Sequence, residues 1–436
     1  MPTETCIKDK NINKNYNWDY YTKLKYVGEI RGRIGFRGYN VEDTVDEGTD
    51  GAAIVLGGTN IMKDGTINYE KLTYLSEKKY LESPEIMLKG GEILITKVGA
   101  GTGENALYEY YQERVTINPN VMLFIASDKV YPKYINYVLL NDDIKKEIAI
   151  EATKSGAQPA INQNYIENMK LILPNKSEQQ AIADFLDEKC KKIDKVVSEI
   201  EEQIQVLEDY KKSLITEIVT KGLDKNVPMK DSGINWIGKI PANWKISKIK
   251  YEYNIQTGGT PDTSISEYYD GENKWVTIAD INEKVIYDTE SKITKSAIKS
   301  CSMGISPKDS LLFSFKLSIG KVAFCGENLY TNEAIATFLK GVQPLQYLYY
   351  AAPIFIVKNA NENIYGAKLL NQQLIKDAPI VLPPAEEQIK MADYLDKECE
   401  KIDKTINDKK EQLETIKEYK KSLIYEYVTG KKRVAC

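Results

Sequence analysis

The sequence predicts an α/β protein in which a long two-helix antiparallel coiled coil separates two similar strand-rich α/β domains, with pseudo-two-fold symmetry. Three observations support this. The segment Leu173–Thr220 recurs without gaps at Leu382–Thr429. Each copy carries apolar residues at alternating steps of three and four, which is typical of a coiled-coil seam. Each copy also follows a larger globular segment, and the two globular segments share a pattern of turns and strands but few residues.

These observations predict the following boundaries. Residues 1–17 form an N-terminal extension, 18–173 the first domain, 174–222 a central helix, 223–243 a linker, 244–382 the second domain and 383–436 a C-terminal helix.

The two domains are predicted from short motifs that recur in the same order. Each opens with a tryptophan and a short amphipathic run, YYTKLKY in the first and KISKIKY in the second. Glycine-rich turns follow, GRIGFRGYN and QTGGTPDT, and then a strand–loop–strand in mid-domain. Near its end each domain has a Gly-Ala pair followed by an asparagine, Asn162 or Asn371. Alternating β-branched runs between glycines favour strand-rich domains.

Each helix is predicted to begin soon after a Leu-Pro pair. Ser177 and Gln180 have capping-box spacing in the first copy, and Pro384 can occupy the first turn of the second. About 43 residues at a rise of 1.5 Å give a helix of about 64 Å. Because such a helix cannot bury its apolar stripe alone, we expect each copy to pair with the other. An antiparallel pairing places the two domains at opposite ends of the helix pair.

Several polar residues interrupt this apolar seam. Lys409 takes the place of Ile200, and Lys211 and Lys420 fall on the seam near its ends. These lysines either set the register of the pair or mark where a third chain packs. We therefore predict a partner interface at Tyr210, Lys211, Tyr419 and Lys420. The repeat-equivalent Cys190 and Cys399 lie on the apolar stripe and are expected to be buried as small hydrophobic residues.

The segment between the first helix and the second domain, Lys221–Trp244, is rich in Gly, Pro and Asn. It also contains Trp236, Ile237 and Ile240, which are apolar enough to pack. We therefore expect an ordered loop.

Composition excludes several classes of catalytic site. The chain has no histidine, which removes Ser-His-Asp and Cys-His arrangements and the commonest zinc ligand. There is no phosphate-binding loop with its lysine and no pair of cysteines with zinc-site spacing. We therefore predict no catalytic residue, no metal site and no bound cofactor. The lack of a long apolar run or a signal-like N-terminus predicts a cytoplasmic protein without a membrane partner.

The order of these segments resembles the specificity subunit of type I restriction–modification systems. That family has two target-recognition domains separated by two similar helical spacers. KDSGINWIGKIPANW resembles the segment that opens such a domain, and LPPAEEQIKMADYLDKECEKID resembles the start of a spacer helix. The resemblance covers essentially the whole chain, although no clean copy of the opening motif precedes Trp18.

The resemblance implies a subunit that binds double-stranded DNA but neither cuts nor methylates it. The implied partners are two modification subunits, which carry S-adenosylmethionine and methylate adenine, and in the full complex two restriction (motor) subunits. Each domain is then expected to read one half of an asymmetric bipartite site, while the helices set the gap between the halves and dock the modification subunits.

Candidate DNA contacts follow from residue chemistry, because arginine suits guanine and asparagine suits adenine. In the first domain they are Arg31, Arg33, Arg37, Asn60, Thr96 and Lys97. In the second domain they are Thr257, Thr260, Lys274, Thr277, Ser314 and Lys316.

Two alternatives remain open from the residues alone. A net charge of −4 suits a coiled-coil scaffold with two protein-binding modules and no DNA partner. Asp262, Glu272 and Lys274 can be arranged as a metal-dependent nuclease pattern, although a pattern this loose arises often by chance.

Overall fold

The computed structural model describes residues 21–33, 38–109, 112–154, 156, 158–363 and 366–434. Trp18 and the predicted N-terminal extension lie outside the described residues. The chain forms two compact units. Unit 1 comprises Met1–Glu201 with Glu411–Cys436, and unit 2 comprises Glu202–Lys410. Each unit therefore combines one globular segment with one end of each long helix.

The strands of unit 1 are β1 (Tyr21–Lys23), β2 (Gly28–Arg31), β3 (Thr44–Val45), β4 (Ala53–Leu56), β5 (Thr73–Leu75), β6 (Ile93–Thr96), β7 (Asn105–Leu107), β8 (Val115–Ile117), β9 (Val121–Ala126) and β10 (Lys170–Ile172). The helices are α1 (Glu77–Leu81), α2 (Pro132–Leu140), α3 (Asp142–Thr153), α4 (Gln163–Asn168), the first part of α5 (Lys176–Lys221) and the last part of α10 (Ala385–Val428).

Two sheets build the globular part of unit 1. One has the strand order β2-β9-β6-β7 and is antiparallel throughout. The other has the order β3-β5-β4-β8, with β4 and β8 parallel. The central strand β6 is buried along its length. Ile95 and Phe124 belong to a core cluster with α2 and the helix ends, whereas Leu94 and Leu123 pack with the second sheet. This division follows from the alternation of side chains along a strand.

The strands of unit 2 are β11 (Met229–Asp231), β12 (Lys239–Pro241), β13 (Lys245–Lys248), β14 (Asn254–Thr257), β15 (Asn273–Val276), β16 (Val285–Ile286), β17 (Lys292–Ile293), β18 (Leu311–Ser314), β19 (Val322–Cys325), β20 (Tyr330–Thr331), β21 (Ile335–Leu339), β22 (Asn361–Glu362), β23 (Lys368–Leu369) and β24 (Pro379–Leu382). The helices are α6 (Ile249–Glu252), α7 (Lys295–Ser300), α8 (Leu345–Lys358), α9 (Gln372–Asp377) and the first part of α10 (Ala385–Val428), with the second part of α5.

The main sheet of unit 2 repeats that of unit 1. Its order is β14-β21-β18-β19-β16, so β14, β21, β18 and β19 correspond to β2, β9, β6 and β7. A smaller sheet has the order β17-β15-β20. As in unit 1, alternate residues face different clusters: Phe313 and Phe338 pack with α8 and the helix ends, and Leu312 and Ile335 face the other side.

Each globular part is closed by pairing its first strand with its last. β1 pairs with β10 and β13 pairs with β24, both antiparallel. A buried tyrosine secures each closure. Tyr134 donates to the carbonyl oxygens of Ile172 (3.0 Å) and Val428 (3.4 Å). Tyr347 donates to the equivalent carbonyls of Val381 (2.7 Å) and Val219 (3.2 Å).

The long helices α5 and α10 span 46 and 44 residues. The predicted Ser177 cap is wrong. Helix α5 begins at Lys176, and the side-chain oxygen of Asn175 accepts a hydrogen bond from the backbone N–H of Glu178 (2.9 Å). Asparagine caps as well as serine does, and Asn175 directly precedes the helix. Pro384 directly precedes α10, and its carbonyl accepts from Gln388 N at 3.0 Å.

The helices pair antiparallel within each unit, as predicted. In unit 1 Lys420 contacts Asp194 at 2.6 Å, and in unit 2 Lys211 contacts Asp403 at 2.6 Å. These ion pairs are repeat-equivalent, so Lys211 and Lys420 hold the register of the helix pair. The seam cysteines are buried, and burial raises the pKa of the Cys190 thiol to about 11.

The segment before the second domain is an ordered hairpin of β11 and β12. Ile237, Ile240 and Trp244 are buried, as expected, and the ring of the partly exposed Trp236 lies 5.4 Å from that of Phe355. Among the described helices, none combines the length and apolar character needed to cross a bilayer.

Candidate nucleic-acid interface

A cleft of about 730 Å³ in unit 1 brings together Arg31, Arg33 and Lys97. Arg31 is the last residue of β2 and Lys97 directly follows β6. Both strands pair antiparallel with β9, so their carboxyl ends lie at the same edge of the sheet. Asn162 and Gln163 line the same cleft at the start of α4. We call this the unit 1 cleft. Arg37 lies outside the described residues.

The charges of the unit 1 cleft are partly balanced within it. Arg31 donates to the Glu29 carboxylate at 2.7 Å, and this hydrogen bond raises the pKa of Arg31 above its ordinary value. Arg33 donates to the carbonyl oxygen of Ile117 at 3.3 Å, and burial lowers its pKa. Glu85 also lines the cleft, with one carboxylate oxygen buried and lacking a partner among the described residues. The cleft therefore offers both donors and acceptors rather than a uniformly basic surface.

Two of the predicted contacts in unit 1 are buried instead. Asn60 is 6% exposed, and its side chain accepts from Gly57 N and donates to the carbonyls of Asn68 and Lys71. Thr96 is 1% exposed. The prediction that these side chains contact DNA directly is not supported by their burial; Asn60 holds the loop after β4 in shape.

Unit 2 gathers three of its predicted residues around a turn after β14. The hydroxyl of Thr257 accepts from Gln372 Nε2 at 2.8 Å. Thr260 hydrogen-bonds to Glu333, and the Lys316 ammonium lies 3.9 Å from the same carboxylate. We call these five residues the unit 2 turn cluster. Gly258 makes the turn possible, because a Cβ there would lie 1.8 Å from the carbonyl oxygen of Thr331.

The other predicted residues of unit 2 serve the fold in this structure. Lys274 forms an ion pair with Glu327 and donates to the carbonyl of Tyr287 at 2.7 Å. Thr277 donates from its hydroxyl to Asp280 at 2.7 Å and caps a short 3-10 turn. Ser314 is fully buried and accepts from Lys321 N at 2.9 Å, which shapes the loop between β18 and β19.

Two glutamines that were not among the predicted DNA contacts also lie at these two surfaces. Gln163 donates to the carbonyl of Ile30 at 3.2 Å, and Gln372 donates to Thr257. Each glutamine follows an asparagine that had been noted as part of the shared pattern, Asn162 or Asn371. The recurrence of the whole Asn-Gln pair was the signal that could have identified them.

The nuclease alternative gains nothing from the geometry. The carboxylate of Asp262 accepts from the backbone and side chain of Ser264, and Lys274 is engaged by Glu327. Within the described ranges, no group of three or more Cys, Asp or Glu side chains is placed to hold a metal ion.

A family model matches most of the chain. The model describes the type I restriction modification DNA specificity domain and matches twice, at residues 50–206 and 241–415. The chain belongs to this family. The two matches fall on the two globular parts and the helical segment that follows each, so the duplication seen in the sequence is a duplication of this domain.

Similar proteins agree with this assignment. The type I restriction enzyme MjaVIII specificity subunit of Methanocaldococcus jannaschii is 24% identical over 406 residues, covering 89% of this chain and 88% of that protein. The MjaIX specificity subunit of the same organism is 34% identical over 187 residues, covering 41% of this chain and 42% of that protein.

Solved structures show the same fold. A chain from a study of complex assembly and conformational transition of the type I R-M system matches with a TM-score of 0.71 at 13% identity, covering 96% of this chain and 99% of that one. The HsdS subunit of Thermoanaerobacter tengcongensis matches with a TM-score of 0.50 at 15% identity, covering 94% and 96%. The family assignment favours DNA specificity over the scaffold and nuclease alternatives.

Proposed function

We propose that this chain selects the DNA sequence at which a type I restriction–modification complex acts, each unit reading one half of an asymmetric bipartite site. The observation that carries the proposal is the equivalence of the two candidate surfaces. The unit 1 cleft follows β2 and β6, and the unit 2 turn cluster follows the corresponding strands β14 and β18. Two domains of the same topology thus present different polar side chains at the same place.

The two halves of the site should differ because the two surfaces differ chemically. Unit 1 presents the guanidinium groups of Arg31 and Arg33, whose paired donors match the major-groove edge of guanine. Unit 2 presents hydroxyls, an amide and Lys316 around Glu333. Both surfaces also carry carboxylates, Glu29 in unit 1 and Glu333 in unit 2, and a carboxylate can accept a hydrogen bond from the N4 amine of cytosine.

The paired helices are proposed to set the gap between the half-sites and to dock the modification subunits. Helices α5 and α10 each contribute to both units, so their common length links the two reading surfaces. Tyr210 and Tyr419 are repeat-equivalent and remain 55% and 58% exposed. Two equivalent exposed tyrosines suit two copies of one partner. The adjoining Lys211 and Lys420 support this interface by holding the helices in register. We propose that S-adenosylmethionine and, where present, the motor activity belong to partner chains.

Substitution in one surface tests the assignment of halves. Lys97→Ala with Arg31→Ala should change or abolish recognition of one half-site, while Lys316→Ala should affect only the other half. Methylation by the assembled complex, mapped across a genome, gives both outcomes directly. Lys78→Ala is a matched control, because it removes an exposed charge from α1 of unit 1, outside the cleft. A Lys97 and Arg31 variant that altered both halves equally would refute the assignment.

Lengthening the helices tests their role as a spacer. Seven residues added after Glu201 in α5 and after Lys410 in α10 keep the ion pairs within each unit and lengthen the pair by about 10 Å, roughly three base pairs. The gap in the methylated motif should grow accordingly, with both halves unchanged. The same seven residues inserted next to Asn226, in the exposed turn before β11, should leave the gap unaltered. An unchanged gap in the helix variant would exclude the spacer role.

A further inference from the structure

In each unit a tyrosine of the globular part donates a hydrogen bond to an aspartate of a long helix. Tyr137 on α2 donates to the Asp187 carboxylate on α5 at 2.7 Å. Tyr350 on α8 donates to the Asp396 carboxylate on α10 at 2.5 Å. Asp187 and Asp396 are equivalent positions of the repeated helix. Both units therefore use a phenol of the globular part and a carboxylate of the helix.

A lysine from the globular part reinforces each contact. Lys133, one turn from Tyr137, lies 2.8 Å from Asp187. In unit 2 the lysine comes from a different place, since Lys284 precedes β16 and lies 2.5 Å from Asp396. Tyr137 and Tyr350 are 9% and 7% exposed, and burial is the first cause that raises the pKa of both phenols. The phenols therefore stay protonated and act as donors.

The contact recurs where the rest of the sequence has diverged. Tyr137 and Tyr350 lie outside the repeated helical segment, in domains that share few residues. A contact needed only for burial could be met by many apolar pairs, as the surrounding cores show. A directional hydrogen bond to a helix carboxylate fixes an angle as well as a distance. Its occurrence in both units indicates that each globular part must keep a fixed orientation on the long helices.

We propose that Tyr137–Asp187 and Tyr350–Asp396 are positioning contacts that fix the angle of each recognition domain on the helix pair and so restrict the complex to one gap length. This inference rests on the proposed bipartite reading of DNA. A domain of about 150 residues has a radius of gyration near 15 Å. Treated as a sphere, such a domain is about 39 Å across, so a tilt of about 5° at its base moves its far face by roughly 3.4 Å, which is one base-pair step.

Tyr137→Phe and Tyr350→Phe test the proposal in the assembled complex. The readout is methylation of DNA in which both half-sites are kept and the gap is the native length or one base pair shorter or longer. Losing a hydrogen bond to a charged group should raise methylation at the altered gaps, relative to the native gap, by roughly ten- to a hundredfold. The half-site sequences should not change. Tyr165→Phe is the matched control, since Tyr165 donates to Glu147 at 2.8 Å within the globular part of unit 1.

Each outcome bears on the proposal. Native gap discrimination in a folded Tyr137→Phe or Tyr350→Phe complex would overturn it, and so would lower activity at every gap with unchanged ratios, which indicates a structural role only. Asp187→Asn and Asp396→Asn, which keep an acceptor but lose the charge, provide second variants if a phenylalanine variant does not fold. The wild-type complex serves as the prior check. If the motif methylated by the wild-type complex is not bipartite, the proposed function itself fails. If that motif is bipartite but the variants keep native gap discrimination, only the positioning proposal fails.

Discussion

Reversing one charge on the helix pair tests the antiparallel register. Asp403→Lys places an ammonium where a carboxylate now lies 2.6 Å from Lys211 Nζ. The exposed side-chain fractions are 29% for Lys211 and 51% for Asp403, so solvent screens the pair and its loss costs about 0.5–1 kcal/mol. Repulsion between two ammonium groups at about 4 Å adds about 1 kcal/mol where water screens them fully and up to about 4 kcal/mol at the lower dielectric near a protein surface. The single reversal should therefore lower the free energy of unfolding by about 1.5–5 kcal/mol.

The second reversal should restore what the first removes. Lys211→Asp combined with Asp403→Lys recreates the ion pair in the opposite sense, and its stability should return to within about 0.5 kcal/mol of wild type. Urea unfolding of the wild type, both single variants and the double variant gives the coupling free energy as a double-mutant cycle. Asp408→Lys is the matched control at an exposed position of α10. A double variant no more stable than the worse single variant would refute the register.

Two further predictions concern buried and crowded positions. Tyr347→Phe removes the hydroxyl that donates to two carbonyl oxygens, so it should lower the free energy of unfolding by about 1–3 kcal/mol. Urea titration measures this change. The control Tyr251→Phe, at a residue that is 72% exposed, should have little effect. Gly258→Ala forces a Cβ against the carbonyl of Thr331, so it should weaken recognition of one half-site and lower the midpoint temperature of thermal unfolding. In the control Gly32→Ala the new Cβ has open space around it, so the midpoint temperature should not fall. A Gly258→Ala protein with the wild-type motif and midpoint would contradict that reasoning.

The helices were the most predictable part of the molecule. Their apolar spacing predicted a buried seam, and leucines at these steps are buried: Leu186, Leu214, Leu395 and Leu423. The prediction was possible because few arrangements bury a repeated heptad pattern. The start of α5 was predicted wrongly because the sequence offers more than one suitable cap. Asn175 and Ser177 are both good caps, and only the backbone path after Pro174 decides between them.

Only some of the residues predicted to contact DNA lie together in the structure. Charge chemistry selected Arg31, Arg33 and Lys97, which the fold brings into one cleft. It also selected Asn60 and Ser314, whose polar groups prove to be used inside loops. A short polar residue beside a glycine turn has the same sequence pattern whether it faces DNA or the loop itself, since the direction of its side chain depends on the turn that encloses it.

The sequence alone determined the duplication, the helix pair and the strand-rich character of both globular parts, because these depend on periodicity and on repeated local motifs. Only the tertiary structure decided which polar residues are brought together. Lys316 contacts Glu333 and Gln372 contacts Thr257 at the ends of sheet strands, and Tyr137 contacts Asp187 between two helices. Such contacts join residues distant in sequence, so no local pattern specifies them. The same is true of Lys211 and Lys420, whose positions on the seam were evident from the sequence but whose aspartate partners depend on the antiparallel register.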